Sequence, residues 1–139
     1  MSDTELFRQA FRRYATTVAV LTYQDSADIA CGMTATSICS LSASPPSLLV
    51  CINREARAHA EISGRGAFGV NLLSVEQRPI ALHCSRTGGD KHLRADWLAE
   101  DVSSSETPRL LGALAHLELR IDRTYEAYSH TMFLGLIQS

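Results

Sequence analysis

The chain has 139 residues, 45% of them apolar and 20% charged, which suits one domain with a buried core. Thirteen Lys and Arg against fifteen Asp and Glu give a net charge of −2, which argues against nucleic acid or an acidic membrane surface as partner. No apolar run approaches the ~18 residues that span a bilayer, and the four cysteines, Cys31, Cys39, Cys51 and Cys84, include no Cys-x-x-Cys pair.

Free thiols in a reducing cytoplasm are therefore expected, and a zinc site is not. The polar, acidic start of the chain is unlike a signal peptide. Ser2 and Glu5 have capping-box spacing, so a helix should begin near Asp3. Leu6, Phe7, Ala10, Phe11 and Tyr14 then share one helical face. Residues 16–23 are rich in β-branched side chains and predict a strand. A hairpin connection over residues 24–27 leads to a second strand at 29–37, where Gly32 allows a close backbone approach. Pro45 and Pro46 punctuate the chain before a buried strand at 47–52.

A short helix is expected over residues 56–63 and a strand over 67–73. Ser74 and Gln77 repeat the capping-box spacing before a helix through about Cys84, although Pro79 fits its interior poorly. Residues 86–90 compose a loop, and residues 101–108 a polar connector. Residues 115–122 give the clearest strand signal: Leu117, Leu119 and Ile121 alternate with polar neighbours. A last strand is expected over residues 131–137.

Six strands with a few short helices, and no regular strand–helix alternation, predict an antiparallel barrel instead of a doubly wound sheet. One domain should cover residues 1–139. The run GRGAFG at residues 64–69 has dinucleotide-fingerprint spacing. It precedes a predicted strand instead of following one, so the phosphate-cradling turn is not expected there.

The informative stretch is GMTATSICSLSASPPSLLVCIN, residues 32–53. Thr34, Thr36, Ser37, Ser40 and Ser42 are hydroxyl residues separated by small or apolar ones. Such a surface offers donors and acceptors without bulk, which suits a flat, polar-edged ring such as a flavin. The same composition equally fits a hydroxyl-rich strand and turn that holds no ligand.

This stretch resembles the flavin reductase-like, FMN-binding split-barrel family. It is most similar to the short reductases that serve aromatic hydroxylases such as 4-hydroxyphenylacetate 3-monooxygenase. The likeness extends to FRQAFRRYATTVAV at residues 7–20, FGVNLL at 68–73, SRTGGDKH at 85–92 and SHTMFLG at 129–135. It implies an antiparallel, six-stranded Greek-key split barrel that dimerises to complete its site. It further implies an NAD(P)H-dependent reductase that passes reduced FMN or FAD to a partner oxygenase. NADH is the expected donor, ahead of NADPH.

Roles follow by resemblance. Thr34, Ala35, Thr36 and Ser37 would line the ring, with Ser40, Leu41 and Ser42 near the ring or ribityl chain. Cys51, Asn53, Arg57 and Ala58 would lie about the ribityl phosphate; Arg57 and Ala58 stand where the family often has Ser and Thr. A guanidinium can bind phosphate bidentately. Ser85, Lys91 and His92 belong to the loop beside the flavin, with Lys91 as the cation and His92 replacing the usual aromatic. His130 matches the histidine associated with the nicotinamide. Family members carry a further strand beyond the point matching Ser139, so an exposed sheet edge and reduced activity are expected. Two rival readings remain: a flavin store or electron-relay module without turnover, and a barrel that binds no flavin.

Overall fold

The computed structural model describes residues 1–99 and 106–139. Residues 101–105 of the expected polar connector lie outside that set. Helix α1, Asp3–Arg12, opens with the predicted capping box: Ser2 Oγ accepts from Glu5 N at 3.2 Å, and Glu5 accepts from Ser2 N at 2.8 Å. None of its residues is buried, so the aromatic stripe faces outward.

Seven strands follow: β1 Ala19–Gln24, β2 Ala30–Ala35, β3 Ile38–Ala43, β4 Pro46–Asn53, β5 Ala67–Leu72, β6 Ala115–Ala127 and β7 His130–Ile137. All pairings are antiparallel, in the order β2-β1-β5-β6-β7-β4-β3. The expectation of six strands is therefore corrected to seven. Residues 38–43 form a strand of their own, where the sequence reading assigned no element between the strand at 29–37 and Pro45. The physical reason is that β3 is an edge strand with five of its six residues exposed, so no inside–outside alternation marks it.

The edge strands β2 and β3 are consecutive in the chain, with only Thr36 and Ser37 between them. Three Cα steps reach about 11 Å, whereas a flat seven-stranded sheet would hold its edges about 29 Å apart. The sheet must therefore curl until its edges nearly meet. It stays split there, since β2 and β3 do not pair. Ser37 extends the β3–β4 pairing by one residue: its O accepts from Cys51 N at 3.2 Å, and its Oγ donates to Cys51 O at 2.8 Å.

Inside the curl lies one apolar cluster, with Leu21, Tyr23, Val50, Ile52, Phe68, Val70, Leu119 and Phe133 at its centre. Helix α2, Arg57–Arg65, adds Ala58 and Ile62 to it. Gly66, with φ of +71°, ends that helix, and Ala67 begins β5. The glycine run thus passes from helix to strand, the reverse of a dinucleotide fingerprint.

A second cluster lies on the outer side, where Val20 meets Leu73, Ile80, Cys84, Leu93 and Leu110. It is roofed by helix α3, Arg78–Cys84. A 3₁₀ turn, Val75–Gln77, precedes that helix and carries the second predicted capping box. Pro79 sits in the first turn, where its missing N–H costs nothing. Buried Asn71 cross-links the region: Nδ2 donates to Val20 O at 3.2 Å, and Oδ1 accepts from Leu110 N at 3.0 Å and His116 Nδ1 at 2.8 Å.

Gly32 occupies the tightest point of this outer packing. A Cβ there would meet Cys84 Sγ and Val20 Cγ1, each at 2.9 Å. Replacement by Ala should destabilise the fold by about 1–3 kcal/mol, read as a lower urea midpoint; an unchanged midpoint would show that the packing yields freely.

Candidate functional site

Three segments meet beside the split. The first is β2, whose Met33 and Thr34 reach the site. Thr34 Oγ1 donates to Ala81 O at 2.6 Å, which fixes α3 against the strand. The second is the turn from β4 into α2. Asn53 Oδ1 accepts from Glu55 N at 2.9 Å, and Asn53 O from Ala56 N at 3.0 Å, so the chain reverses and α2 starts at Arg57. No side chain caps this start. Its first N–H groups and positive dipole end are thus left for an anion.

The third segment is the loop after α3. Leu93 N donates to Ala30 O at 2.9 Å and Gly32 N to Lys91 O at 3.0 Å, so the loop docks on β2 like a short extra strand. Lys91 Nζ donates to Cys84 O at 3.5 Å and also to Arg86 O. Its ammonium therefore caps the carbonyl end of α3.

Between these segments lies a cleft of about 480 Å³, within the range of small-molecule sites. Tyr23 and Met33 give it apolar surface, and Arg57, Arg86 and Lys91 outnumber Glu55 in charge. Burial pushes the Tyr23 phenol well above its usual range, with Cys31 and Glu61 adding to the shift. It is neutral at physiological pH. The lining thus combines apolar surface, the Thr34 hydroxyl and a cationic group of side chains.

The cleft brings together Thr34, Asn53, Arg57, Ala58, Ser85 and Lys91 of the sequence-predicted residues. The others lie elsewhere. Ala35 packs in the inner core. Thr36 and Ser37 form the exposed link across the split, and Ser40, Leu41 and Ser42 are exposed along β3. Cys51 is half-buried in β4, opposite Met132. His130 pairs in register with Asn53, which puts it next to the cleft's rim, and its Nδ1 lies 2.8 Å from Ser129 Oγ. His92 turns away from the cleft, with Nε2 3.1 Å from Asp25 Oδ2. Tyr23, Met33 and Arg86 line the cleft and were missed. The first two sit in strands that read simply as core; Arg86 had a signal, its place in the same basic loop as Lys91.

The flavin reductase like domain family matches residues 11–139. The chain belongs to that family. An NADH-dependent FAD reductase from Streptomyces globisporus is 36% identical over 137 residues, covering 96% of this chain and 73% of the relative. The 4-hydroxyphenylacetate 3-monooxygenase reductase component of Pseudomonas aeruginosa is 35% identical, covering 94% of this chain and 76% of its own length. The Streptomyces globisporus C-1027 NADH:FAD oxidoreductase, solved with NAD and FAD fragments, superposes with a TM-score of 0.84 at 36% identity; the match spans 99% of this chain and 81% of that one. The likeness of fold thus runs over nearly the whole of this chain.

Thiol chemistry at this site should be graded by burial. Burial, then Asp25, pushes the Cys31 thiol up to about 12, and burial pushes Cys84 up to about 11, with Lys91 opposing. At pH 8 about one Cys31 in ten thousand is then thiolate, whereas Cys39 is exposed on β3. Iodoacetamide labelling followed by mass spectrometry should modify Cys39 first and leave Cys31 and Cys84 at least ~100-fold slower; equal rates would mean that the loop after α3 opens readily.

Proposed function

We propose that this flavin reductase oxidises a reduced nicotinamide, NADH in preference to NADPH, and releases reduced FMN or FAD to a separate monooxygenase. The supporting observation is the cleft, with an apolar face at one end and Arg57 on an uncapped helix start at the other. Family membership supplies the reaction class. The names of its relatives, an NADH-dependent FAD reductase and a monooxygenase reductase component, supply the donor and the oxygenase.

Bound flavin would supply the hydride-accepting ring; the chain's own residues bind and orient it. Arg57 and the first N–H groups of α2 hold the phosphate next to the ribityl chain, a group that FMN and FAD share. Thr34 accepts at the ring edge, since its hydroxyl proton is already given to Ala81. Lys91 holds positive charge beside the ring, where negative charge grows on reduction. His130, on the rim beside Asn53, orients the nicotinamide over the exposed ring face.

The active form is a homodimer. The β3 hydroxyls, Ser40 and Ser42, with Thr36, face solvent in the single chain, and Leu41 is 53% exposed. Phe7 and Phe11 of α1, whose rings lie 4.8 Å apart, are also uncovered. A second copy covering these faces closes the flavin site, and gives the hydroxyls of the signature run a ligand to meet. Exposed apolar surface of this kind marks an interface. A cytoplasmic location fits the four free cysteines.

Steady-state oxidation of NADH and NADPH with added FMN or FAD tests the reading. Flavin-stimulated oxidation is expected; flavin binding without it would instead favour a store. Arg57→Ala should weaken flavin binding about 10–100-fold, the worth of a charge-assisted hydrogen bond. His130→Ala should raise the nicotinamide KM and leave the flavin Kd nearly unmoved, and equal loss of both would make the residue structural. For the dimer, sedimentation of Leu41→Arg should show a monomer where the parent chain sediments as two copies; a monomeric parent would refute the shared site.

A further inference from the structure

Outside the lining of the cleft, three donor atoms from three separate segments converge. They are Asp25 Oδ2 from the β1–β2 turn, Cys31 Sγ from β2 and His92 Nε2 from the loop after α3. All lie within 4.8 Å of one another. The carboxylate oxygen is 3.1 Å from Nε2 and 3.8 Å from Sγ. Ligands on a tetrahedral zinc sit about 3.3–3.5 Å apart, given bonds of about 2.0–2.3 Å. Two of the three separations are thus within about 0.3 Å of that range, and the third is no more than 4.8 Å.

We propose that Asp25, Cys31 and His92 form a binding site for a single divalent transition-metal ion, zinc by preference, that clamps the loop after α3 to β2.

Each ligand is held by a contact other than the one it would give the ion. Asp25 spends Oδ1 on the amides of Ala27 at 2.9 Å and Ile29 at 3.0 Å, which leaves Oδ2 aimed at the other two. The Ile29 amide, with help from Ala27 and His92, holds this carboxyl below the usual carboxylate range. His92 Nδ1 lies 3.2 Å from Asp90 Oδ1, so a negative charge faces Nδ1 and favours the tautomer with its proton there, which leaves Nε2 as a lone-pair donor. A carboxylate behind a ligating imidazole is the usual supporting arrangement at zinc. The backbone bridge between Cys31 and His92 sets the thiol and the ring on the same side of the sheet.

Thiol plus imidazole selects a borderline ion such as zinc over magnesium or calcium. Binding forms three metal–ligand bonds and expels the Cys31 thiol proton, together with the Nε2 proton where the ring carries one there. No electrons move. Three protein ligands leave a fourth position for water, reached from the exposed side, where the His92 side chain is 44% accessible. The spacing rule that argues against zinc in the sequence is blind to such a site, because residues 25, 31 and 92 meet only in the fold. His92 completes the trio, and it stands where the family's motif carries an aromatic. The site does not depend on flavin binding, so its test can fail alone.

The test is titration of the untagged full chain, under reducing conditions and without flavin, with Co(II) and then Zn(II). One equivalent of Co(II) should bind and give a thiolate-to-cobalt charge-transfer band that Zn(II) bleaches. Zn(II) should also raise the melting temperature. Cys31→Ser and His92→Phe should each abolish the band or weaken binding about 100-fold or more, and Asp90→Asn should weaken it about 10–100-fold. Cys39→Ser should change nothing. Should Cys31→Ser fail to fold by circular dichroism, His92→Phe, altered at a partly exposed ring, carries the test. The absence of any band and any one-to-one binding in the parent chain overturns the site, as does undiminished binding in His92→Phe or loss of the band in Cys39→Ser.

Discussion

Everything in this molecule follows from the shortness of one connection. Two residues, Thr36 and Ser37, carry the chain from one edge of a seven-stranded sheet to the other. The sheet cannot be flat under that tether, so it rolls around a single apolar interior. It also cannot close, because β2 and β3 run off the same short link without pairing. The result is a slot beside the edges, and the chain furnishes that slot with the Thr34 hydroxyl, a helix start and a basic loop. Ser37, the last residue of the link, is held to β4 by two hydrogen bonds to Cys51, which fixes where the chain enters β3.

The outer layer repeats the logic with backbone. The loop after α3 behaves as a false strand on β2, paired through Ala30, Gly32 and their partners Leu93 and Lys91. Because Gly32 has no Cβ, α3 and the loop can lie close against β1 and β2. Within that loop Lys91 lines the cleft, and the next residue, His92, meets Asp25. A change on either side is thus felt on the other through a few main-chain hydrogen bonds.

Much of the fold could be read from local chemistry. Both capping boxes are where Ser2/Glu5 and Ser74/Gln77 put them, since these are contacts between residues three apart. The 115–122 strand was legible from its alternation, although β6 runs on to Ala127, where exposure on both faces erases the pattern. β3 was invisible for the same reason. Thr34, Asn53, Arg57, Ala58, Ser85 and Lys91, picked out by resemblance as flavin-binding residues, do meet at one cleft. Tyr23 and Met33 escaped notice because an apolar residue facing a cleft looks the same in sequence as one facing a core. His92 points the other way because its partners, Asp25 and Asp90, are set by tertiary placement alone.

Lys91 shows what such a framework gives a passing ligand. An ammonium has three protons to give, and the carbonyls of Cys84 and Arg86 take two. These contacts tether the side chain before anything enters the cleft, so part of its loss of rotamer freedom falls on folding. A visitor meets a fixed point charge with a single vacancy, strong enough to favour an electron-rich guest and too sparsely connected to detain it. That is the character wanted in a vessel whose cargo must be surrendered within each cycle.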